Sequence, residues 1–179
     1  SGSNTSSVMN FTVKVAPEWS YDTGEDVNAV AVSADGEYYV VGSFDDNVYL
    51  FDKDNSTPLW NYTTGGEVQS VAISANGDFV VAGSKDRKVY MFSKGNSTPL
   101  WSYETGDYYG NEIYSVSISA NGEYVVAGSG NLDRKVYLFQ KDGTQLWNYT
   151  TGNDVRSVDI SADGEYIAAG NDNKKVYLF

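Results

Sequence analysis

The residues of this chain best suited to chemistry are aspartates: Asp45, Asp46, Asp52, Asp54, Asp86, Asp133 and Asp172 all fall in polar segments between apolar runs. Paired carboxylates can serve as general acid and base, or hold calcium. They would have to act without the usual helpers, because the 179 residues include no histidine and no cysteine. That removes the commonest general base, the thiol nucleophile, thiolate metal sites and disulfides. Most of these aspartates recur at one position of a repeated sequence, where Asp and Asn bond back to the local backbone, so turn chemistry is the expectation. The run FDKDN at 51–55 lacks the spacing and the distal bidentate Glu of a calcium loop. Asp159 stands where the other repeats carry Ala31, Ala72 and Ser117, and is expected to be the one unpaired inner carboxylate. No acid/base constellation emerges, and the expectation is a non-enzymatic chain with no catalytic residue, metal or cofactor.

Recognition is better sought where the repeats disagree, since a site imposed on a symmetric scaffold must break the symmetry. One such position carries Asn28, Gln69, Tyr114 and Arg156. The third repeat also has two insertions: GDYYGNEIYSV at 106–116 exceeds its counterpart GGEVQSV by four residues, and GSGNLDRKV at 128–136 exceeds GSKDRKV by two. Tyr108 and Tyr109 in the first insertion are expected as exposed aromatics available to a protein or glycan partner. By contrast Trp19, Trp60, Trp101 and Trp147, with Tyr21, Tyr62, Tyr103 and Tyr149, keep a strict period. They are expected to pack between sheets rather than to stack on sugars, as are Tyr49, Tyr90, Tyr137 and Tyr177.

The elements that must position these residues repeat as well. SADGEYYVVGSFDDNVYLF at 33–51 returns as SANGDFVVAGSKDRKVYMF at 74–92, SANGEYVVAGSGNLDRKVYLF at 119–139 and SADGEYIAAGNDNKKVYLF at 161–179. The tryptophans are spaced 41, 41 and 46 residues apart. Each unit carries four strand signals, termed a to d: an alternating segment such as VQSVAIS, a second after Asp-Gly or Asn-Gly, a third after a charged turn, and a closing LWNYTTG. No helical period appears, so the fold class is all-β. A lone four-stranded meander of this kind leaves two apolar faces and two edges exposed, which sibling sheets packed around an axis would cover. This is the β-propeller.

The pattern xxDGxYVVAGSxDxKVYLF followed by LWxYxTG resembles WD-repeat and quinoprotein-type (PQQ-like) propeller repeats across residues 19–179. The Gly-His and Trp-Asp dipeptides of WD repeats are missing, as are the cysteine pair and cofactor ligands of quinone enzymes. The resemblance therefore implies a fold and carries over neither family's partners. The expected layout is a linker or extra strand at 1–17, a d-type strand at 18–24, and blades at 25–64, 65–105, 106–151 and 152–179. Residues 18–24 are expected to complete the last blade. Three assemblies stay open: a closed four-bladed monomer, a homodimer forming an eight-bladed ring in which each chain donates its first strand, and a segment of a longer array. In a propeller the d–a and b–c connections share one face, so the varied position should form a ring at one channel mouth beside the insertions.

A net charge of −12 argues against nucleic acid and anionic membrane surfaces, leaving neutral or basic partners or polyvalent cations. No apolar run reaches the length of a membrane span, and no basic-then-apolar leader is present. Six of fifteen asparagines stand in Asn-x-Ser/Thr, at Asn4, Asn10, Asn55, Asn61, Asn96 and Asn148. Their density points to a glycosylated extracellular or cell-surface protein. The sequence is similar to propeller domains of archaeal surface proteins, which implies a scaffold or adhesive module. The alternative is an intracellular or periplasmic interaction platform of the WD-repeat kind; a third reading, a sugar-processing or quinone-dependent propeller enzyme, ranks last because no acid/base constellation breaks the symmetry.

Overall fold

The computed structural model describes residues 16–106 and 110–179, and within them every regular element is a β-strand. The first blade comprises β1 (Val27–Val32), β2 (Tyr38–Ser43), β3 (Asn47–Asp52) and β4 (Trp60–Thr63). The second holds β5 (Val68–Ile73), β6 (Phe79–Ser84), β7 (Lys88–Ser93) and β8 (Pro99–Glu104). The third holds β9 (Ile113–Ile118), β10 (Tyr124–Ser129), β11 (Lys135–Gln140) and β12 (Gln145–Thr150), and the fourth β13 (Val155–Ile160), β14 (Ile167–Asn171) and β15 (Val176–Leu178). Each blade is an antiparallel meander in chain order, and the fourth contains three strands.

The Asp-Gly and Asn-Gly connections are built by a serine. Gly36 N donates to Ser33 O at 2.9 Å, Ser33 Oγ accepts from Tyr38 N at 3.0 Å, and Asp35 accepts from Ser33 Oγ at 2.5 Å and Glu37 N at 3.0 Å. Only the glycine adopts positive φ, +74° at Gly36, so the Asp or Asn is there to bond backbone and hydroxyl. The b–c turns instead put a non-glycine residue in the left-handed region: Asp46, Arg87, Arg134 and Lys174. In the first two blades the aspartate just before it holds that strain, Asp45 accepting from Asn47 N at 2.9 Å and Asp86 from Lys88 N at 3.0 Å, while in the third Lys135 N donates to Ser129 Oγ at 3.0 Å.

Blades join by burying apolar faces. Val40, Val48 and Leu50 of the first blade are fully buried with Val68 and Phe92 of the second, and the equivalent residues repeat this at the next two joints. The tryptophans lock the rim: Trp60 packs on Phe92 at 5.3 Å and its indole donates to Lys94 O at 2.9 Å, while Trp101 does the same to Phe139 and Lys141 O. The inner strands β1, β5, β9 and β13 follow one another around the axis, yet no comparable packing joins β13 back to β1. The four blades form an open arc.

Two expectations are corrected here. Residues 18–24 do not complete the last blade of their own chain: among the described residues β15 has no outer neighbour. Trp19 lies on the first blade, 5.3 Å from Phe51, with its indole donating to Lys53 O at 2.8 Å. The segment thus sits as a d strand sits on the blade that follows it, and the fourth blade of an open arc is out of its reach. For the same reason the varied side chains of a single chain do not close a ring. Residues 1–15, including Asn4 and Asn10, lie outside the described residues.

Candidate binding face

In every blade the first residue after strand b is tied to the d–a loop, which brings these two connections to one face. Phe44 N donates to Asp26 O, Lys85 N to Glu67 O, Gly130 N to Glu112 O and Asp172 N to Asp154 O, at 2.9 to 3.0 Å. The varied position is the second residue of strands β1, β5, β9 and β13, beside this seam. Asn28 and Gln69 come together, the Asn28 amide donating to Gln69 O at 3.0 Å. Tyr114 and Arg156 also come together, with the guanidinium 4.3 Å above the ring centroid. The four residues line an arc in two neighbouring pairs.

The second pair is the better built. Arg156 Nε donates to Asp172 at 2.9 Å, and its terminal nitrogen reaches Asp172 at 2.8 Å and Asp154 at 3.3 Å. Tyr114 lies flat across Gly130, where a Cβ would fall 1.8 Å from Tyr114 Cε2, so this position in the insertion has room only for glycine. Partial burial, reinforced by the Glu112 charge, holds the Tyr114 phenol above its ordinary value, while Arg156 opposes the shift. The two insertions meet, since a Cβ on Gly110 would lie 3.5 Å from the Asn131 amide. Tyr108 and Tyr109 lie outside the described residues.

Four of the seven turn aspartates are bonded into the fold. Asp45 accepts from the Tyr49 hydroxyl at 2.5 Å, Asp86 from the Tyr90 hydroxyl, and Asp133 from Tyr137 and Ser129 hydroxyls, each at 2.6 Å. Burial first, then the bonded carboxylate, pushes all three phenols far up from their ordinary value. Asp52 accepts from Asp54 N at 3.0 Å, a local turn bond. Asp159 departs from expectation: it is paired, accepting from Ser117 Oγ at 2.9 Å and from Ile160 N at 3.0 Å.

Sequence reasoning passed over Phe44 and Leu132, which stand exposed at the b–c turns of this face. Lys85 spans the same seam, 2.6 Å from Glu67 and 5.6 Å from the Phe44 centroid. An apolar residue inside a polar turn was the available signal. The face combines exposed apolar groups, aromatic and cationic side chains and several carboxylates. Asn55, Asn61, Asn96 and Asn148 are all exposed. Asn55 and Asn96 occupy the c–d loops at the opposite ends of the strands, and Asn61 and Asn148 the outer strands β4 and β12.

Fold and site together define a repeat propeller of the PQQ type, with its irregular features gathered on one face. Residues 11–178 match the family described as outer membrane protein assembly factor BamB, and the chain belongs to that PQQ-repeat family. No protein of curated function matches it.

Proposed function

We propose that the chain is a non-enzymatic interaction scaffold that binds a protein or glycan partner through the face carrying Tyr114, Arg156 and the third-blade insertions. The observation that carries this reading is the interlocked set Tyr114, Gly130, Arg156 and Asp172, which departs from the repeat at one corner of the molecule and closes on the repeated acidic position at Asp154. Family membership supports a scaffold role, as its description names an assembly factor. The abundance of acidic groups favours a neutral or basic partner. We place the protein outside the cytoplasm, at the cell surface, because the described Asn-x-Thr sites are all exposed and lie away from the proposed face. The family description equally favours a periplasmic assembly platform, and that is the second reading.

Both are tested by presenting the immobilised chain to a glycan array, to calcium and to envelope extract. Capture should disappear with Arg156→Ala and Tyr108→Ala and persist with Asn55→Ala. Capture unchanged by the first two substitutions removes this face from consideration. Bare polypeptide mass in protein taken from its native source would end the glycosylated surface assignment.

A further inference from the structure

The two ends of the arc are complementary to each other, and we infer that a second copy of this chain occupies them, closing an eight-bladed ring. The internal joints draw on one recurring set of pairings, and stepping each forward by one repeat matches a group without a partner among the described residues on the fourth blade to one on the first.

At the turns, Ala34 N donates to Ala75 O, Ala75 N to Ala120 O and Ala120 N to Ala162 O, at 2.9 to 3.0 Å. The next donor is Ala162 N, and the unused acceptor is Ala34 O. Aromatic residues opening strand b seat on the following blade's turn glycine: Tyr38 against Gly77, Phe79 against Gly122 and Tyr124 against Gly164. The following blade's lysine covers the first two, Lys94 at 4.4 Å from the Tyr38 centroid and Lys141 at 4.2 Å from Phe79. Tyr166 is 59% exposed, while a Cβ at Gly36 would meet nothing within 4 Å. The lysine beside that vacant seat is Lys53.

Deeper in, Gly42, Gly83 and Gly128 admit Val68, Ile113 and Val155 so closely that a Cβ would lie within 2.6 Å of each. A Cβ at Gly170 would meet nothing within 4 Å among the described residues, and the residue next in the series, Val27, is 50% exposed. Val116 N donates to Ser70 Oγ and Val158 N to Ser115 Oγ, both at 3.0 Å, which leaves Ser157 for Val30 N. The faces agree in character too. Val176 and Leu178 are 83% and 74% exposed where their counterparts Val48 and Leu50 are fully buried. An apolar groove of about 420 Å³ lined by Trp19, Val30, Val32 and Tyr39 waits opposite. Residues 18–24 already hold half of a d-strand ending: Thr23 Oγ1 donates to Glu25 O at 2.7 Å as Thr64 Oγ1 does to Gly66 O at 2.6 Å. The second bond of Thr64 goes to Asp46 O, whose equivalent is Lys174 O beside the edge of β15 that has no neighbour among the described residues. A head-to-tail joint that closes after two copies gives a ring with twofold symmetry.

The test uses the full 179-residue chain. Light scattering should give twice the monomer mass, and Val30→Arg should halve it while leaving the β-sheet circular dichroism intact, since Val30 is 70% exposed in the single chain. In a chain with no native cysteine, Ala34→Cys with Ala162→Cys should oxidise to a covalent dimer and nothing larger. A monomer mass for the unmodified folded chain, a disulfide closed within one chain, or a ladder of oligomers each overturns the proposal. Cross-linking that survives Val30→Arg overturns it as well.

Discussion

The packing of the blade joints predicts opposite outcomes for one substitution made at two equivalent glycines. In Gly83→Ala the new Cβ would stand 2.4 Å from Ile113 Cγ2 and 3.0 Å from Val116 Cγ1. Ile113 is fully buried and β-branched, so it cannot turn away and the inner strands must separate. Overpacking of this kind costs about 1–3 kcal/mol. At about 2–4 °C per kcal/mol for a chain of this size, the midpoint of thermal unfolding should fall by roughly 2–12 °C. Gly170→Ala adds the same methyl group to the same repeat position with none of the described residues within 4 Å. To isolate the chain's own packing, both are made in the Val30→Arg background and melted while tryptophan fluorescence and circular dichroism are followed. Gly170→Ala should leave the midpoint unchanged. Equal loss in both variants, or none in Gly83→Ala, would refute the account of how adjacent blades approach.

Two further outcomes follow from the rim and the buried phenols. Trp60→Phe keeps a ring against Phe92 but removes the donor to Lys94 O, and should lower stability by about 1 kcal/mol in urea unfolding; an unchanged midpoint means that this bond contributes nothing to the joint. Tyr49, Tyr90 and Tyr137 have folded-state pKa values raised above the unfolded value of about 10, so the folded chain binds more protons than the unfolded chain at higher pH. Their contribution is complete below about pH 10 and is lost as pH rises beyond it, which urea titrations at about pH 8 and about pH 11 measure. Replacing all three by Phe should flatten that decline; an equally steep decline in the variant would place its origin elsewhere.

Much of the fold was legible because each blade repeats its solution. The strands around Val68, Phe79, Lys88 and Trp101 could be read from alternation and turn residues, and the packing role of Trp60 and Trp101 from their period. Closure was not legible. Residues 18–24 have the sequence of a d strand, and the same residues serve an open arc or a closed ring; the difference lies in the angle between sheets, which no local pattern encodes. Asp159 was misjudged because its partner Ser117 belongs to the neighbouring blade, 42 residues away. Of the site, alignment revealed Tyr114 and Arg156 as departures from the repeat. It could not reveal that they touch each other, nor that Gly130 exists to seat the ring.

The fourth blade shows why these departures belong together. Where the first three blades place Asp45, Asp86 and Asp133 to receive a tyrosine hydroxyl, the fourth has Asn173, and its Tyr177 hydroxyl donates instead to Thr151 O at 3.0 Å. The blade's carboxylate stands one residue earlier, as Asp172, where it meets Arg156 rather than Tyr177. An arginine introduced alone at position 156 would face Asp154 at 3.3 Å without the closer contact to Asp172, and a tyrosine introduced alone at 114 would strike any side chain at 130. Independent drift at four positions would not supply a glycine, a carboxylate and an aromatic face where the other changes require them. The coordination points to one constraint acting on that corner, separate from the blade packing that is satisfied elsewhere without any of these residues, and the Arg156→Ala capture experiment proposed above is what tests its nature.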